Sequence, residues 1–437
     1  MTEGDVLEFL GLFADYEKDR SFSYPEALSL DRMRRLCREF AYPQNTFDSV
    51  IIAGSKGKGS AAVMLASILR MDDFKVGLYT SPHLLDVRER IRVNNLPISP
   101  ARLIEAAEKL RKILNTSEWR REPPTYFELL TVIAFWHFRE MKVQVAVLEV
   151  GLGGLYDSTN VVPAKAAGLT ALSLEHTDKL GKTVAKITIQ KCGIIKGREV
   201  VVSAPQIREA EEVIEETANE RECVLWRVGR EIRFAERGHD EEGQGFDLEG
   251  PFGKLYGLKI SLLGLHQIEN ACVAVGLAKA LEKKTRLKIS DVAVKQGLVD
   301  AVWPGRLEKI SNQPLTILDG AHNSESMRRA LEALHRHFHF SSIRMVLALA
   351  KDKDAAAILE SLQGEVSKMW VTTFPGDRAL GAAELGRLAK SSFPEVEVEE
   401  SPVTALEKAS QGAGPGELVF IAGSLYLVAE IHRGRRL

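Results

Sequence analysis

Cysteine, charge imbalance and long apolar runs are all scarce in this chain. Its four cysteines form no CxxC pair, which argues against a zinc site or a disulfide framework and favours a reducing compartment: Cys37, Cys192, Cys223 and Cys272. The formal net charge of −2 gives no general reason to expect nucleic-acid or membrane binding, so any polyanion site must be local.

No apolar run approaches the roughly 18 residues that a membrane span requires. The first residues, MTEGDVLEFLGLF, are acidic and show neither a basic leader nor a cleavage site. We therefore expect a cytoplasmic protein that binds neither membrane nor nucleic acid. At 437 residues, 45% hydrophobic and 27% charged, the composition is that of an ordinary globular protein with two or three domains.

The stretch AGSKGKGSAAV, which follows the apolar run SVII, is unusually rich in glycine and lysine. Glycines allow backbone N–H groups to turn inward, and the N-terminus of a following helix favours an anion, so the pattern predicts a phosphate cradle. Lys58 would lie against the phosphates and Ser60 could reach a magnesium ion. Only two residues separate Gly54 from Gly57, whereas the common P-loop has four before its Gly-Lys pair. A plain glycine-rich turn therefore remains the alternative.

Polar side chains also follow other predicted strands. Glu149 interrupts the apolar run VAVLEVG, His176 follows LTALSLE, and Ser81 ends the strand after the glycine loop. A carboxylate in an apolar parallel strand is costly unless it is paired or bound to metal. Hydroxyl, carboxylate and imidazole groups from neighbouring strand ends could hold magnesium, although an imidazole is an unusual ligand for it. A structural hydrogen bond for Glu149 and a loop position for His176 are the alternatives.

Short β-branched runs alternate with amphipathic helices along most of the chain, which is typical of βαβ units and a mostly parallel sheet. The pattern becomes strand-rich between about 222 and 262, and βα alternation restarts after VWPGRLE. We predict an α/β protein with a mostly parallel-sheet P-loop nucleotide-binding domain at 1–302, followed by a smaller Rossmann-like α/β domain at 303–437.

Nine motifs, in order from about residue 20 to the C-terminus, resemble those of folylpolyglutamate synthases. They are GSKGKGS, TSPHLLDVRERIRVNN, TYFELLT, LEVGLGGLYDSTN, EHTDKLGKTVAKITIQKCGIIK, GLHQIEN, WPGRLE, LDGAHN and AGSLYLV. That family includes the bifunctional dihydrofolate synthases and belongs to the Mur ligase superfamily. Its shortened glycine loop binds ATP, so the unusual spacing is the family's own.

The resemblance implies functional residues at matching positions of this sequence. ATP would be bound by the glycine loop and three later motifs: Gly54, Ser55, Gly57, Lys58, Gly59, Ser60, Asn270, Arg306 and Asp319. Magnesium would be held by Ser81, Glu149 and His176, together with Ser60. Lys191 would be carbamylated by CO2, and His322 would lie near the reacting groups, with a supporting role as its alternative. The catalytic set implied is Lys58, Lys191 and His322.

A pterin site is implied at Thr125, Phe127 and Asp157, where an aromatic ring can stack and a carboxylate can bind ring N–H groups. Phe127 on an amphipathic helix would by default be a core residue. Four positions depart from the family pattern: Ser55 replaces a threonine but keeps the hydroxyl, Lys56 replaces an asparagine, Cys192 an alanine and Leu155 an arginine. The loss of the arginine leaves details of the substrate site open.

The implied reaction joins the carboxylate of dihydropteroate or a folate to the amine of L-glutamate, with ATP as co-substrate and Mg²⁺ as cofactor, on a monomer. A Mur-type ligase acting on a cell-wall precursor would share the ATP apparatus but not TYFELLT and TSPHLLDVRERIRV. An ATP-binding switch protein would leave LDGAHN and AGSLYLV unexplained. The sequence leaves open whether the enzyme makes dihydrofolate, lengthens glutamate tails, or does both.

Overall fold

Runs of β-branched residues form a largely parallel sheet at the centre of the first part of the chain. The computed structural model describes residues 1–17, 24 and 28–435. Strands β1 to β8 are Asp48–Ala53, Val76–Tyr79, Ile91–Val93, Leu96–Pro97, Val145–Glu149, Ala166–Leu169, Val200–Ser203 and Val224–Arg227. Strands such as β5 and β7 are buried along their whole length, as expected for a parallel sheet covered on both faces.

The eight strands lie in the order β4-β3-β2-β5-β1-β6-β7-β8. The β2–β3 and β3–β4 pairs are antiparallel, and the remaining pairs are parallel. The register places Glu149 beside Ile52 and Leu169 beside Ala53. The ends of β5, β1 and β6 therefore meet at one edge, where ligands of such sheets bind.

Helices cover this sheet. Their bounds are Glu3–Gly11, Leu30–Glu39, Lys58–Met71, Pro100–Leu114, Ser117–Arg121, Tyr126–Glu140, Val184–Cys192, Arg208–Glu220, Leu265–Lys284 and Asp291–Val299, with 3-10 turns at Pro43–Asn45, Val87–Arg90 and Ser158–Val161. Thr125 caps the helix Tyr126–Glu140 in a capping box with Glu128, whose carboxylate also pairs with buried Arg32 at 2.7 Å. No helix in the described ranges is long and apolar enough to cross a membrane.

The chain divides into two compact units. The first comprises Met1–Arg237, Gly245–Ile260 and His266–Ala301, and the second comprises Gly238–Gln244, Ser261–Leu265 and Val302–Leu437. Strands β9 to β11, at Arg233–Asp240, Gly243–Gly250 and Gly253–Ile260, form a separate sheet in the order β11-β10-β9. The main division follows Ala301. Two short segments before it, Gly238–Gln244 and Ser261–Leu265, also belong to the second unit, and we call them the excursions. The functional assignment of the two predicted domains stays a prediction.

The second unit has its own sheet and core. Strands β12 to β17 are Glu308–Asn312, Leu315–Leu318, Ser342–Leu347, Val366–Val371, Val396–Val398 and Glu417–Ala422, in the order β12-β13-β17-β14-β15-β16. Only the β12–β13 pair is antiparallel among them. The helices are Ser324–His337, Ala355–Ser361, Ala382–Lys390, Pro402–Ser410 and Leu425–Arg435. The predicted α/β class, with two mostly parallel sheets, is confirmed.

The buried His337, at the end of the helix Ser324–His337, forms hydrogen bonds with both excursions. The Nδ1 of His337 lies 2.8 Å from the Asp240 carbonyl oxygen, and its Nε2 accepts a hydrogen bond from the Gly264 N–H at 3.2 Å. Gln244 Nε2 donates to the carbonyls of Leu262 and Gly264 at 2.9 and 2.7 Å, which ties the excursions to each other. Because Nε2 must accept, the imidazole is neutral with its proton on Nδ1.

Acid should weaken the hydrogen bonds between His337 and the two excursions. Burial is the main cause that lowers the pKa of His337 below its ordinary value of 6.5. The unfolded chain then takes up the proton more readily, so the stabilisation is complete above about pH 6.5 and is lost as the pH falls through the folded pKa. We expect denaturant unfolding between about pH 8 and pH 5 to show a smaller loss of stability in His337→Gln than in the wild type.

The exposed His339 provides the matched control, because it lies two residues away outside the core. His339→Gln should keep the pH dependence of the wild type. Equal pH dependence in the wild type and His337→Gln would contradict the conclusion that neutral His337 stabilises the fold through these hydrogen bonds.

Candidate active site

The glycine loop lies at the carboxyl end of β1. At two of its glycines, Gly54 and Gly57, a Cβ atom would clash with a neighbouring side chain. A side chain at Gly54, whose φ is 156°, would come within 1.8 Å of Thr170 Oγ1. Gly57 begins the helix Lys58–Met71 with a left-handed φ of 84°, and a Cβ there would lie 2.2 Å from Asn270 Oδ1. Asn270, predicted to bind ATP from a distant motif, therefore lies against the loop.

The carbonyl oxygen of Gly54 receives hydrogen bonds from two lysines. Lys58 Nζ donates to it at 2.9 Å and Lys191 Nζ at 2.8 Å. Lys191 also pairs with Glu175 Oε1 at 2.8 Å, and the side-chain exposures of this pair are only 3% and 15%. Two ammonium groups and one carboxylate leave an excess of positive charge beside the loop. Such a cluster suits an anion.

Burial and neighbouring charges shift the pKa values of this ion pair. The pKa of Lys191 is lowered to about 8, first by burial and then by the charges of Lys58 and Lys56, against the opposing effect of Glu175. Burial alone would raise the pKa of Glu175, but the charges of Lys191 and Lys58 outweigh it and hold that pKa at about 2. The Lys191 amine is therefore partly neutral near pH 8, unlike an ordinary lysine.

Two of the predicted metal ligands lie together at the same edge. Glu149 ends β5, is 4% exposed, and its Oε2 accepts the Ser81 N–H at 3.1 Å. Ser60 is buried in the first turn of its helix, and His176 lies in an exposed turn with a φ of 47°. Within residues 1–17, 24 and 28–435, no group of three or more His, Cys, Asp or Glu side chains could hold a metal. The predicted set thus relies on hydroxyl oxygens, a donor type that fits Mg²⁺.

Two of the three predicted pterin residues, Phe127 and Asp157, meet at Gly151. The Phe127 ring contacts the Gly151 backbone, where a Cβ would lie 2.7 Å from the ring, and its centroid is 5.8 Å from that of Tyr79. Asp157 Oδ2 accepts the N–H groups of Gly151 and Leu152, both at 3.0 Å. Burial raises the pKa of the Asp157 carboxyl. Thr125 and Asp157 both have structural partners here, and their pterin roles remain predictions.

The second unit brings its three predicted residues together around Gly320. A Cβ at Gly320 would lie 2.4 Å from Arg306 Nη1, which donates to the Gly305 carbonyl at 3.0 Å. His322 Nδ1 lies 2.8 Å from the Gly320 carbonyl oxygen. Asp319 accepts the N–H groups of Leu307 and Ala321 at 2.9 and 2.7 Å, and burial raises the pKa of its carboxyl against the opposing charge of Arg306.

Sequence reasoning missed Glu175, the partner of Lys191. The sequence feature that could have indicated it is its place beside His176 in EHTDKL, a carboxylate next to a predicted ligand.

The structure also describes the surroundings of three residues that differ from the family pattern, Ser55, Lys56 and Cys192. The Ser55 hydroxyl links the loop to the Ser173 backbone at 3.0 Å, and Lys56 is half-buried and close enough to affect Lys191. Cys192 is buried, and burial raises its pKa to about 12, as suits a packing role.

Comparison with known proteins shows that this chain contains two Mur ligase domains. Residues 52–278 match the Mur ligase middle domain, and residues 305–425 match the Mur ligase glutamate ligase domain. The chain is 33% identical to folylpolyglutamate synthase of Lacticaseibacillus casei over 92% of this chain and 93% of the relative. It is 31% identical to dihydrofolate synthase/folylpolyglutamate synthase of Bacillus subtilis, over 97% of this chain and 99% of that protein. The chain therefore belongs to the folylpolyglutamate synthase/dihydrofolate synthase family of Mur ligases.

Solved structures agree with this membership. Mycobacterium tuberculosis folylpolyglutamate synthase complexed with ADP superposes with a TM-score of 0.89 at 29% identity, covering 99% of this chain and 98% of that one. E. coli FolC in complex with DHPP and ADP gives a TM-score of 0.86 at 27% identity, covering 100% and 99%. The predicted family is confirmed, whereas the roles of individual residues stay predictions.

A side chain at Gly57 should impair the nucleotide site. Gly57→Ala would force a left-handed alanine against Asn270, at a backbone cost of about 1–2 kcal/mol. We expect the Kd for ADP, measured by calorimetry, to rise about 10-fold or more, since each 1.4 kcal/mol is tenfold. Gly11→Ala is the control, because no atom lies within 4 Å of a Cβ there. Unchanged ADP affinity in folded Gly57→Ala would show that the loop does not bind phosphate.

Proposed function

We propose that this chain is an ATP-dependent ligase that joins L-glutamate to dihydropteroate, to folate glutamates, or to both, as a monomer in the cytoplasm. The observation that carries the proposal is the glycine loop, where Lys58 bonds to the Gly54 carbonyl at the sheet edge that also holds Glu149. Its position on a Mur ligase scaffold with a glutamate ligase domain supports this reaction over a nucleotide switch.

The residues of the chain supply binding, orientation and electrostatic stabilisation. Lys58 and the N-terminus of its helix would bind the phosphates of ATP, with Asn270 against the loop and Arg306 as a second, forked donor. Phe127 would stack on the pterin ring near Asp157. Glu149, Ser81, Ser60 and His176 would hold Mg²⁺, which when bound neutralises charge on the transferring phosphoryl group.

The bonds change in two steps. A carboxylate oxygen of the acyl substrate forms a bond to the γ-phosphorus of ATP as the bond to ADP breaks, which gives an acyl phosphate. The glutamate amine then attacks the acyl carbon, the C–O bond to phosphate breaks, and the nitrogen loses a proton. Positioned cations stabilise the negative charge in both steps, and His322 would lie near the acyl phosphate and the incoming amine.

The direct test offers substrates separately. Purified protein with ATP, Mg²⁺ and L-glutamate should convert dihydropteroate, tetrahydrofolate or both into products heavier by one glutamyl residue, read by mass spectrometry. Lys58→Ala should lower kcat/KM by at least about 100-fold, equal to about 2.7 kcal/mol of lost transition-state stabilisation. The lysine contributes charge and its loss should leave the fold intact.

Lys182→Ala is the matched control, since this lysine is exposed and lies on the loop before the helix that carries Lys191. It should keep wild-type activity. ATP cleavage that needs neither a pterin substrate nor glutamate would overturn the ligase proposal. Conversion of a cell-wall precursor instead of either pterin substrate would assign the enzyme to the other branch of the superfamily.

We further propose that Lys191 is carbamylated in the active enzyme. Carbamylation requires a neutral amine, whose nitrogen attacks CO2 and releases a proton, and the pKa of about 8 supports a reactive fraction near neutrality. The modification would exchange a cation held by Glu175 for an anion. An anion suits a site beside bound divalent cations better than an ammonium does.

With ¹³CO2, NMR should show a carbamate signal that grows as the pH rises from about 7 to 9, because the neutral amine fraction increases through the pKa near 8. The signal should be missing in Lys191→Ala and Lys191→Arg, and both variants should be nearly inactive. Short carboxylic acids should partly restore Lys191→Ala alone, by occupying the vacated volume. A fully active Lys191→Arg enzyme would sink this idea.

A further inference from the structure

A buried junction joins the loop after β5 to the end of the helix that carries Lys191. We call it the loop–helix junction and define it by Gly151–Asn160 on one side and Gln190–Gly193 on the other. The Leu155 N–H donates to the Gln190 carbonyl at 2.8 Å. A Cβ at Gly154 would lie 2.8 Å from the Lys191 carbonyl oxygen, and one at Gly193 would lie 2.4 Å from the Leu155 Cα. The two backbones are thus in direct contact.

Asn160 lies at the centre of this junction and is 4% exposed. Its side-chain Nδ2 donates to the Leu155 carbonyl at 3.1 Å and to the Gly193 carbonyl at 3.0 Å. One amide group therefore holds a carbonyl from each side. Its Oδ1 is buried and has no hydrogen-bond partner among the described residues. Both hydrogen bonds of the side chain are therefore donated by Nδ2.

The same loop carries residues of two predicted sites. Glu149 immediately precedes it, Asp157 organises its first turn through the N–H groups of Gly151 and Leu152, and Phe127 packs on Gly151. The loop–helix junction links the loop to the helix end through backbone, while Leu152 and Tyr156 pack against the cluster that contains Ile187 of the same helix. The junction therefore positions the Lys191 backbone relative to the loop, while the Gly54 carbonyl and Glu175 hold the Lys191 side chain.

We propose that Asn160 is a positioning residue, which fixes Lys191 relative to the loop that carries the acyl-substrate site. This inference rests on the proposed ligase function. Asn160 does not reach the reacting groups itself, because both of its amide hydrogens are used on backbone carbonyls. Only a side chain with two donors on one atom can bridge these two oxygens, and aspartate or leucine of similar size cannot.

Asn160→Ala should lower kcat by about 10- to 100-fold, because a misplacement of about 1 Å has effects of this size. The Kd for ADP should stay within about threefold of the wild type, since Lys58 and the N-terminus of its helix, the proposed phosphate-binding groups, lie outside the junction. Hydrogen exchange followed by mass spectrometry should show faster exchange in the peptide that contains Gln190–Gly193. This readout needs no substrate, so it tests the junction even if the ligase assignment fails.

A second variant perturbs the same junction from the other side. Gly154→Ala adds a methyl group against the Lys191 backbone and should reproduce both the kcat loss and the faster exchange. Gly381→Ala is the matched control, because its φ is −62° and no atom lies within 4 Å of a Cβ there. Thr188→Val removes a buried hydroxyl that bonds only within the Lys191 helix, to Val184, and controls for general loss of stability.

Wild-type kcat in folded Asn160→Ala would overturn the proposal. So would an equal loss of kcat in Thr188→Val and Asn160→Ala, because the effect would then follow stability instead of position. Should the wild type ligate neither pterin substrate, the ligase proposal fails, and unchanged exchange in Asn160→Ala would independently overturn the junction.

Discussion

The shared acceptor at Gly54 is the interaction on which the candidate site depends. One backbone carbonyl receives Lys58 from the following helix and Lys191 from a helix more than a hundred residues later in the chain. Like charges this close repel strongly where water is excluded, and Glu175 is the carboxylate that the structure shows paired with Lys191. The remaining excess of positive charge would be lowered by a bound anion and by the proposed carbamylation of Lys191.

Glycines decide how closely the backbones around this cluster approach one another. Gly54 lets β1 end against Thr170, Gly57 admits Asn270, and Gly154 lets the loop after β5 contact the Lys191 backbone. In each case the space that a Cβ would need is already occupied. The positions of the functional side chains are therefore set by tight contacts of glycine backbones with the side chains of Thr170 and Asn270 and with the Lys191 backbone, which leave little room for movement. Catalysis by preorganised charge requires that constancy.

The parts of the site that the sequence predicted are those that follow from strand order. Glu149, Ser81 and the glycine loop each end a recognisable apolar run, and parallel strands present such ends at a single edge. Glu175 was missed because its importance comes from contact with Lys191, sixteen positions away, which no local pattern indicates. The excursions at Gly238–Gln244 and Ser261–Leu265 were missed for a similar reason, since they join the second unit through His337 and not through any feature of their own composition.

The departure from the family's arginine at Leu155 becomes intelligible in the same terms. The contribution of this position to the junction is its backbone: the N–H bonds to Gln190, the carbonyl accepts from Asn160, and the Cα faces Gly193. A change of side chain there leaves all three contacts in place. The junction can thus tolerate a substitution that alters what the loop presents to a substrate. At position 155 the backbone makes the contacts of the junction, so the side chain there is free to differ without loss of those contacts.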